Sequence, residues 1–582
     1  MRAVTLLFTV TLLSAQIPTE DSRNTNTPDT GTHAKLPDFH SLQDWEKRKA
    51  YLRKQILSAA GLYPMPPHTV PRAEIFGRLQ REDYTIEKVL VETLPGYYLG
   101  GNLYRPLNRS SKGPAILNPH GHWQYGRLEN QPLYSGQSLG INLAKQGYVV
   151  FAYDMVGYND TIQTPHKFGT PTEQLWSFGP LQLQLWNSIR ATDFIASLPD
   201  VDPARLAITG ASGGGTQAFL LAAVDDRLSF AAPVNMVSAM MQGGDFCENA
   251  PGLRVGTNNV EIAAMFAPKP MLLVSATGDW TTNVPREEFP AIQRIYALYG
   301  KAQNVEVIQI DAPHNFNKAS REGVYNFFAK RILGQTGLIS EKEEDGEKLQ
   351  DMLALQGRAL PEHAISYEGV YREWQALDSD QTYAKERLQL ALHSEWPDSV
   401  LSEKTAGGIV LSRPSAGDRI PGILIEGSGP AALVVFADGA TATRQTPEVA
   451  ALVKQHRRVL LIDAFQTGSA VAPRNRSHEH FLAFNLSDDA CRVQDILTAL
   501  AFLQKSQTAP VELIGLGNAA VWSQFAAAVA PISVNLHADM GNFAGTNADF
   551  LRVLNVPGIQ RAGGLNAVQS AAKPVDAAAG NK

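Results

Sequence analysis

Short runs of aliphatic and β-branched residues alternate with helical patterns through the first 330 residues of the chain. The apolar runs lie at residues 115–118, 148–153, 205–209, 230–234, 271–276 and 305–310. Turn residues bound each run, and the segments between the runs carry apolar residues at helical spacing. This alternation predicts an α/β fold, with a doubly wound and mostly parallel sheet.

The region before this alternation predicts a helix and then a hairpin. Residues 44–58 carry apolar positions at helical spacing, and a proline-rich stretch at residues 64–71 ends that helix. Residues 84–93 and 97–104 have the composition of strands and are separated by a Pro-Gly pair. We therefore expect an antiparallel hairpin that joins the larger sheet.

The same pattern divides the chain into segments. Residues 1–15 place an apolar run after Arg2 and end at small residues, which predicts a cleaved signal peptide and a secreted or periplasmic protein. The other expected segments are a disordered or extended stretch at 16–43, a catalytic domain at 44–333, a charged linker and helical connector at 334–380, a second domain at 381–570 and a disordered tail at 571–582.

The second domain repeats landmarks of the first in the same order. Residues 452–463 (LVKQHRRVLLID) align without a gap with residues 143–154 (LAKQGYVVFAYD). The further landmarks are RATD at 190–193 with RVQD at 492–495, and RLAITGASGGG at 205–215 with PVELIGLGNAA at 510–520. Any two helix-strand units share some features, but three matches in order predict an internal duplication.

The sequence GASGG at residues 210–214 lies between a predicted strand and a helical pattern, which is typical of a nucleophile elbow. Such a turn presents Ser212 as a nucleophile and needs small neighbours. Amide groups at the helix N-terminus favour negative charge, so the N–H of Gly213 is one expected oxyanion donor. The alternative is an ordinary turn, which glycine and serine also favour.

A serine nucleophile needs a base and an orienting carboxylate, and both follow in the expected order. His314 follows the run at 305–310 and is the expected base; the other interpretation is a surface-loop histidine. Asp279 follows the run at 271–276 and is the expected acid. Glu248 is the alternative acid, and Asp245 is a more distant possibility.

The second oxyanion donor is expected in the loop PHGHW at residues 119–123, from the N–H of Gly121 or His122. His120 and His122 are alternatively two metal ligands. No third ligand stands at a suggestive spacing, so we expect neither a metal nor a cofactor.

Four tryptophans lie in or near the segments expected to surround the site: Trp123, Trp176, Trp186 and Trp280. Aromatic faces stack on sugar rings, so we expect Trp123, Trp176 and Trp280 to contact substrate. The alternative is that these side chains fill the core and its rim.

Composition narrows the choice of partners. The 582 residues have a formal net charge of −6, so the chain lacks the basic field that nucleic acid or an anionic membrane requires. We expect a neutral substrate such as an acylated carbohydrate or small ester; the sequence does not define an oligomeric state. Cys247 and Cys491 are the only cysteines, and we expect two unpaired, partly buried thiols, with a bridge between them as the alternative.

The motifs TGASGGGTQ, PHGHW, AYDMVGYND, TGDWT and DAPHNFN resemble the bacterial acetylxylan esterase-like family of the α/β hydrolases over residues 44–333. The resemblance implies an α/β-hydrolase fold and a secreted serine esterase that removes short acyl groups, above all acetyl, from polysaccharide such as xylan. Glucuronoyl esterases and prolyl-oligopeptidase-like peptidases share this fold and are alternatives. From another class, the alternative is a carbohydrate-binding or scaffolding protein.

The second domain departs from the family pattern at the elbow. Gly517 stands where the nucleophile would be, and the chain ends soon after the run at residues 532–536. We therefore expect a degenerate and truncated α/β-hydrolase-like domain that serves as a structural partner, a lid wall or a carbohydrate-contacting surface.

Overall fold

A computed structural model describes residues 17–107, 111–377 and 382–571. The predicted signal peptide and all but the first residue of the predicted tail lie outside these ranges. Among the described residues, no helix is both long enough and apolar enough to cross a membrane.

The first unit contains a nine-stranded sheet. Its strands are β1 (Ala73–Gln80), β2 (Tyr84–Leu94), β3 (Tyr97–Pro106), β4 (Gly113–Pro119), β5 (Val149–Tyr153), β6 (Val201–Ala211), β7 (Leu228–Val234), β8 (Met271–Gly278) and β9 (Val305–Pro313). Their order across the sheet is β1-β2-β3-β5-β4-β6-β7-β8-β9. The first three strands and β5 pair antiparallel, and every pair from β5 to β9 is parallel. This is the strand order of an α/β hydrolase with one added edge strand, which confirms the predicted fold class.

Helices cover both faces of this sheet because its central strands are apolar throughout. Every residue of β4 and β5 is buried. The helices of the first unit are Leu42–Ala59, Gly136–Lys145, Pro171–Gln174, Pro180–Ser197, Gly213–Val224, Asn259–Ala264, Glu288–Leu298 and Lys318–Phe328. Because the parallel strands run the same way, their carboxyl ends bring the predicted catalytic loops to one edge.

The second unit contains a separate seven-stranded sheet. Its strands are β10 (Leu401–Thr405), β11 (Gly408–Ser412), β12 (Ile420–Ile425), β13 (Gly429–Phe436), β14 (Arg457–Ile462), β15 (Val511–Leu516) and β16 (Val534–Ala538). The order β10-β11-β12-β14-β13-β15-β16 repeats that of β1 to β7 strand for strand. Among residues 382–571, the part of the second unit that is described, there are no equivalents of β8 and β9, which in the first unit precede Asp279 and His314. A second domain with a separate sheet is therefore present, and its seven strands repeat the hydrolase order.

Helices complete the second unit and its connection to the first. Those of the connector are Leu349–Met352, Tyr367–Ala376 and Ala384–Leu392. Those of the second unit are Ala440–Thr443, Pro447–Lys454, Phe481–Phe484, Asp488–Gln504, Ala519–Val529, Asn547–Val553 and Gly564–Ala571. The two units touch directly: Gly252 N–H donates to the Leu482 carbonyl, and Arg561 donates to the carbonyls of Gly61 and Trp374.

The N-terminal segment, predicted to be disordered or extended, is anchored to both units. Ser22–Thr25 forms a helical turn, and the Arg23 guanidinium is 2.6 Å from a buried oxygen of Asp495 in the second unit. Farther along, Ala34 N–H donates to the Ala239 carbonyl in the first unit at 2.8 Å. Charged and backbone groups of this segment thus find partners in both units.

A buried arginine joins the oxyanion loop region to the connector. Arg127 is fully buried and contacts the carboxylates of Asp154 and Asp160 and the amide oxygen of Asn102. Asp160 also accepts the Ala354 N–H of the connector at 2.9 Å. Removal of the guanidinium would leave two buried carboxylates without a counter-charge.

We expect Arg127→Met to lower the free energy of unfolding by about 3–5 kcal/mol, because an uncompensated buried charge costs that much. The matched control is Arg358→Met, since the Arg358 ion pair with Glu74 is exposed and such pairs contribute about 0–1 kcal/mol. Urea unfolding followed by tryptophan fluorescence measures both. Equal losses in the two variants would contradict the buried-network interpretation.

Candidate active site

Ser212 lies at a sharp turn between β6 and the helix Gly213–Val224. Its backbone has φ 59° and ψ −127°, a conformation that L-residues rarely adopt. The surrounding structure holds this conformation: Ser212 N–H donates to the Val234 carbonyl at 3.1 Å, and Ser212 C=O accepts from Thr216 N–H at 3.0 Å. The turn therefore has the geometry of a nucleophile elbow.

Glycines make the turn possible because neighbouring backbone passes close to it. A Cβ on Gly210 would lie 2.5 Å from the Pro119 carbonyl oxygen. A Cβ on Gly215 would lie 2.8 Å from the Val234 carbonyl oxygen. The small residues of GASGGG therefore reflect packing as well as turn conformation.

The loop that follows β4 lies against the serine. A Cβ on Gly121 would be 2.6 Å from the Ala211 carbonyl oxygen, 2.8 Å from Ser212 Cβ and 3.3 Å from the Gly213 nitrogen. The two loops predicted to supply oxyanion donors thus meet beside Ser212. The Gly213 amide also lies at a helix N-terminus, where negative charge is favoured.

We expect Gly121→Ala to lower kcat by about 100-fold, because the added methyl group would displace an oxyanion donor from Ser212. Gly244→Ala is the control: a Cβ there has no neighbour within 4 Å, and its rate should stay within about twofold of the wild-type rate. Steady-state hydrolysis of a short-chain acyl ester measures both. A wild-type rate in Gly121→Ala would contradict the assignment of this loop.

His314 and Asp279 are directly paired. His314 Nδ1 is 2.8 Å from Asp279 Oδ2, and the Asp279 side chain is only 2% exposed. The other carboxylate oxygen, Oδ1, accepts the backbone N–H of Thr281 at 2.7 Å. Asp279 is thus fixed at both oxygens, and it holds the imidazole with Nε2 directed away from the carboxylate.

Two tryptophans enclose the His314 ring. Trp123 stacks on it with ring centroids 6.2 Å apart, and Trp280 lies at 4.4 Å with a 35° tilt. Three buried polar atoms here make no hydrogen bond within the described parts of the chain: His314 Nε2, Trp123 Nε1 and Trp280 Nε1. A buried donor without a partner is costly, so these atoms are suited to an oxygen-rich ligand. Trp123 and Trp280 therefore lie where the sequence predicts substrate contact.

Glu248, the alternative acid, is engaged elsewhere. Its Oε2 accepts the Gly244 N–H at 2.7 Å, and its Oε1 is 4.0 Å from His122 Nδ1. Burial raises the pKa of this carboxyl group. Among the described residues, the carboxylate that hydrogen-bonds His314 is Asp279, so the geometry favours Asp279 as the orienting acid.

His120 is a structural residue. Its Nδ1 is 2.7 Å from the Gly121 carbonyl oxygen, and its Nε2 accepts the Met155 N–H at 2.9 Å. Burial lowers the pKa of His120 to about 3, so the ring is neutral. With both nitrogens occupied, His120 has no lone pair for a metal, and the alternative of a His120–His122 metal pair is wrong.

Trp176 is not a pocket residue, which corrects the sequence prediction. Its Nε1–H donates to Asn547 Oδ1 at 3.1 Å, and its ring packs on the core of the second unit. The interface between the units thus accounts for this tryptophan. Trp186 is core: it is buried, and its Nε1–H donates to the Thr93 carbonyl.

A cavity of about 570 Å³ lies between the two units. The first unit lines it with Phe168, Phe178 and Phe246, and the second with His480, Phe481 and Arg492. It does not reach Ser212 or His314, although Phe246 belongs to the loop of Glu248. The sequence did not indicate this cavity, because its walls come from segments that are more than 200 residues apart in the chain.

The second unit keeps the shape of the elbow without its chemistry. Gly517 has φ 57°, within a few degrees of Ser212, and follows β15 as Ser212 follows β6. Glycine has no hydroxyl group. The two cysteines are unpaired, as predicted, but both are fully rather than partly buried, and burial raises the pKa of Cys491 to about 11.

Comparisons with known proteins agree with these observations. No family model matches the chain. A protein of Bacillus subtilis (strain 168) that carries the name hydrolase YtaP is 25% identical over 311 residues, which cover 48% of this chain and 99% of that protein. A solved methylesterase, BT1017, is 31% identical over 59% of this chain and 78% of its own, with a TM-score of 0.45.

Two further solved structures share less sequence. A Bacteroides fragilis protein described as an acetyl xylan esterase is 17% identical over 61% of this chain and 92% of its own, with a TM-score of 0.40. A glucuronoyl esterase from Solibacter usitatus is 16% identical over 52% of this chain and 98% of its own, with a TM-score of 0.39. Over 48% of its length the chain is thus similar to a protein named a hydrolase, and its strand order and serine elbow are those of an α/β-hydrolase fold.

Proposed function

We propose that this protein is an exported serine esterase that removes short acyl groups, above all acetyl, from a polysaccharide such as xylan. Ser212 is the nucleophile, His314 the base and Asp279 the orienting acid. One observation carries the proposal: the Asp279–His314 pair leaves a buried, unpartnered Nε2 in a loop at the edge of the sheet that holds the strained Ser212.

The first half of the reaction forms an acyl-enzyme. His314 Nε2 accepts the Ser212 hydroxyl proton as Oγ attacks the ester carbonyl carbon. The N–H groups of Gly213 and of Gly121 or His122 stabilise the resulting oxyanion. The bond between the acyl carbon and the sugar oxygen then breaks. His314 gives its proton to that oxygen, which leaves as a sugar hydroxyl group.

The second half releases the acid. His314 accepts a proton from water as the water oxygen attacks the acyl carbon, and the collapse of this second intermediate restores the Ser212 hydroxyl group. Asp279 holds the imidazole tautomer and stabilises the imidazolium that forms in both halves. His314 carries every proton in the cycle, and no step changes an oxidation state.

Several features support a carbohydrate ester as the substrate. Trp123 and Trp280 offer aromatic faces and unpartnered indole N–H donors around His314, a combination that suits a sugar ring with its hydroxyl groups. The acetyl preference rests on the motif resemblance, and export rests on residues 1–15.

A second candidate reaction is the cleavage of a methyl ester of a sugar acid, because the relative with 31% identity is named a methylesterase. The two reactions place the sugar on opposite sides of the scissile bond. Acetyl esters release acetate and keep the sugar hydroxyl, whereas methyl esters release methanol and keep the sugar carboxylate.

A product assay separates the two candidates. The purified protein is incubated with acetylated xylan, a methyl-esterified uronic acid polymer, a glucuronate ester and a proline-containing peptide, with Ser212→Ala as the blank. We expect Ser212-dependent acetate release from xylan to be the fastest reaction. If methanol release is faster, the methyl ester of a sugar acid is the substrate and the acetyl ester is not. Peptide cleavage, or polysaccharide binding without turnover, would overturn the proposal.

A further inference from the structure

Side chains from three loops around Ser212 converge on one point. They are His122 of the loop after β4, His166 of the loop after β5, and Cys247 of the loop after β7. His122 Nε2 is 3.1 Å from His166 Nε2 and 3.0 Å from Cys247 Sγ. All three donor atoms lie within 4.8 Å of one another.

One nitrogen, His122 Nε2, faces two neighbouring groups in this arrangement. His166 Nδ1 is 2.7 Å from the Val156 carbonyl oxygen, so Nδ1 carries the proton and Nε2 presents a lone pair to His122. His122 Nε2 has either one N–H or one lone pair, so it makes one full hydrogen bond, to His166 or to Cys247, or a weaker bond shared between them. A shared cation would satisfy all three groups at once, because each would contribute a lone pair of its own.

A carboxylate lies beside His122 without joining the compact group. Asp245 Oδ2 is 3.5 Å from His122 Nε2, while Oδ1 is 3.8 Å from the Lys167 ammonium. The donor set is thus two imidazoles and one sulfur.

This donor set suits zinc. Zinc binds nitrogen at about 2.0–2.1 Å and sulfur at about 2.3 Å in a tetrahedron, in which neighbouring donors stand roughly 3.3–3.6 Å apart. The separations of 3.1 Å between the two imidazole nitrogens and 3.0 Å between His122 Nε2 and Cys247 Sγ are slightly shorter than that range. Softer thiolate and imidazole ligands also favour zinc over magnesium or calcium.

The outer contacts are those of a metal site. The Val156 carbonyl fixes the tautomer and orientation of His166, as second contacts of ligating histidines commonly do. Cys247 would bind the ion as a thiolate, with its proton leaving to solvent.

We propose that His122, His166 and Cys247 form a zinc site that ties together three loops around Ser212. His122 connects the site to the active centre, since a Cβ on Gly213 would be 3.2 Å from His122 Cε1. The bound ion would hold the loop that carries the predicted oxyanion donors. This role is one of positioning, and the proposal does not depend on which ester the enzyme cleaves.

No third ligand for His120 and His122 stands at a suggestive spacing along the chain. His120 is engaged by backbone, and the true partners of His122 lie 44 and 125 positions away. Neither spacing resembles a compact zinc motif. The cluster exists only because the parallel strands end at the same edge of the sheet.

The test is zinc binding by the full-length protein. Protein is dialysed against a weak chelator, supplied with one equivalent of zinc, gel-filtered and analysed for metal by mass spectrometry. Cobalt substitution provides a second readout, since a thiolate–cobalt charge-transfer band requires cysteine ligation. We expect one zinc per chain and a cobalt–thiolate band.

Cys247→Ser and His166→Gln are the test variants, and Cys491→Ser is the matched control because Cys491 is equally buried but lies in the second unit. We expect the test variants to lose at least about 100-fold in zinc affinity and the cobalt–thiolate band, while the control keeps both. Zinc should also raise the unfolding temperature of the wild type and the control alone. Absence of stoichiometric zinc in the wild type, or equal binding in all variants, would overturn the proposal.

Discussion

Ser212→Ala is expected to lower kcat for ester hydrolysis by about 10⁵-fold, with little change in unfolding temperature. The hydroxyl group is the proposed nucleophile, and loss of a serine nucleophile in a triad costs roughly 10⁴- to 10⁶-fold. Ser212 is a half-exposed residue at a turn, so removal of its oxygen leaves no large cavity. Steady-state kinetics on a short-chain acyl ester, with thermal unfolding in parallel, measure both effects.

Ser229→Ala is the control for this measurement. Ser229 lies at the start of β7, and its hydroxyl group donates to the Ala204 carbonyl at 3.1 Å. That contact is at the amino end of the strands, opposite the catalytic edge, so we expect a wild-type rate. Activity above about one hundredth of the wild-type rate in Ser212→Ala would show that another residue carries the reaction.

Asp279→Asn is expected to lower kcat by about 10⁴-fold while the structure stays intact. An asparagine amide at this position donates to His314 Nδ1, which moves the imidazole proton to Nε2 and removes the lone pair that Ser212 needs. The contact between Asp279 Oδ1 and the Thr281 amide can persist, because the asparagine carbonyl oxygen accepts the same bond. Rates measured across the pH range, with circular dichroism as a check on folding, report this change.

Glu248→Gln is the matched control, since Glu248 was the alternative acid on sequence grounds. Its carboxylate accepts from the amides of Gly244 and Asp245, and a glutamine oxygen keeps at least one of these bonds. We expect its kcat to fall less than about tenfold. A larger loss in Glu248→Gln than in Asp279→Asn would reverse the assignment of the acid.

The regular part of the fold could be predicted from sequence because its signals are local. The buried runs that became β4, β5 and β6 are apolar and bounded by turn residues, and such runs read as strands without tertiary information. The elbow was equally visible, since strand, small residues and helix follow one another directly. Strand β1 was missed because it is an exposed edge strand with mixed polarity, as AEIFGRLQ shows.

The site could be predicted only in part, because its remaining features depend on which loops meet. The choice between Asp279 and Glu248 needed the His314 contact, which no spacing reveals. Trp176 lies close in sequence to pocket-lining segments, but its indole N–H points to Asn547 of the second unit. The convergence of His166 and Cys247 on His122 is likewise a property of the folded sheet edge.

The second unit provides an internal comparison for the site. It repeats seven strands in the same order and keeps the positive φ of the elbow at Gly517. Its elbow lacks the hydroxyl group, and its described residues contain no strands equivalent to β8 and β9. The residues proposed for catalysis therefore all lie in the first unit.

The most direct test of the central proposal is to locate the residue that a fluorophosphonate labels. Labelled protein is digested with trypsin, which should release residues 206–227, a peptide in which Ser212 is the only serine. We expect one label per chain on that peptide, no label in Ser212→Ala and slow labelling in His314→Ala. A label on a different peptide, or undiminished labelling of Ser212→Ala, would contradict the assignment of Ser212 as the nucleophile.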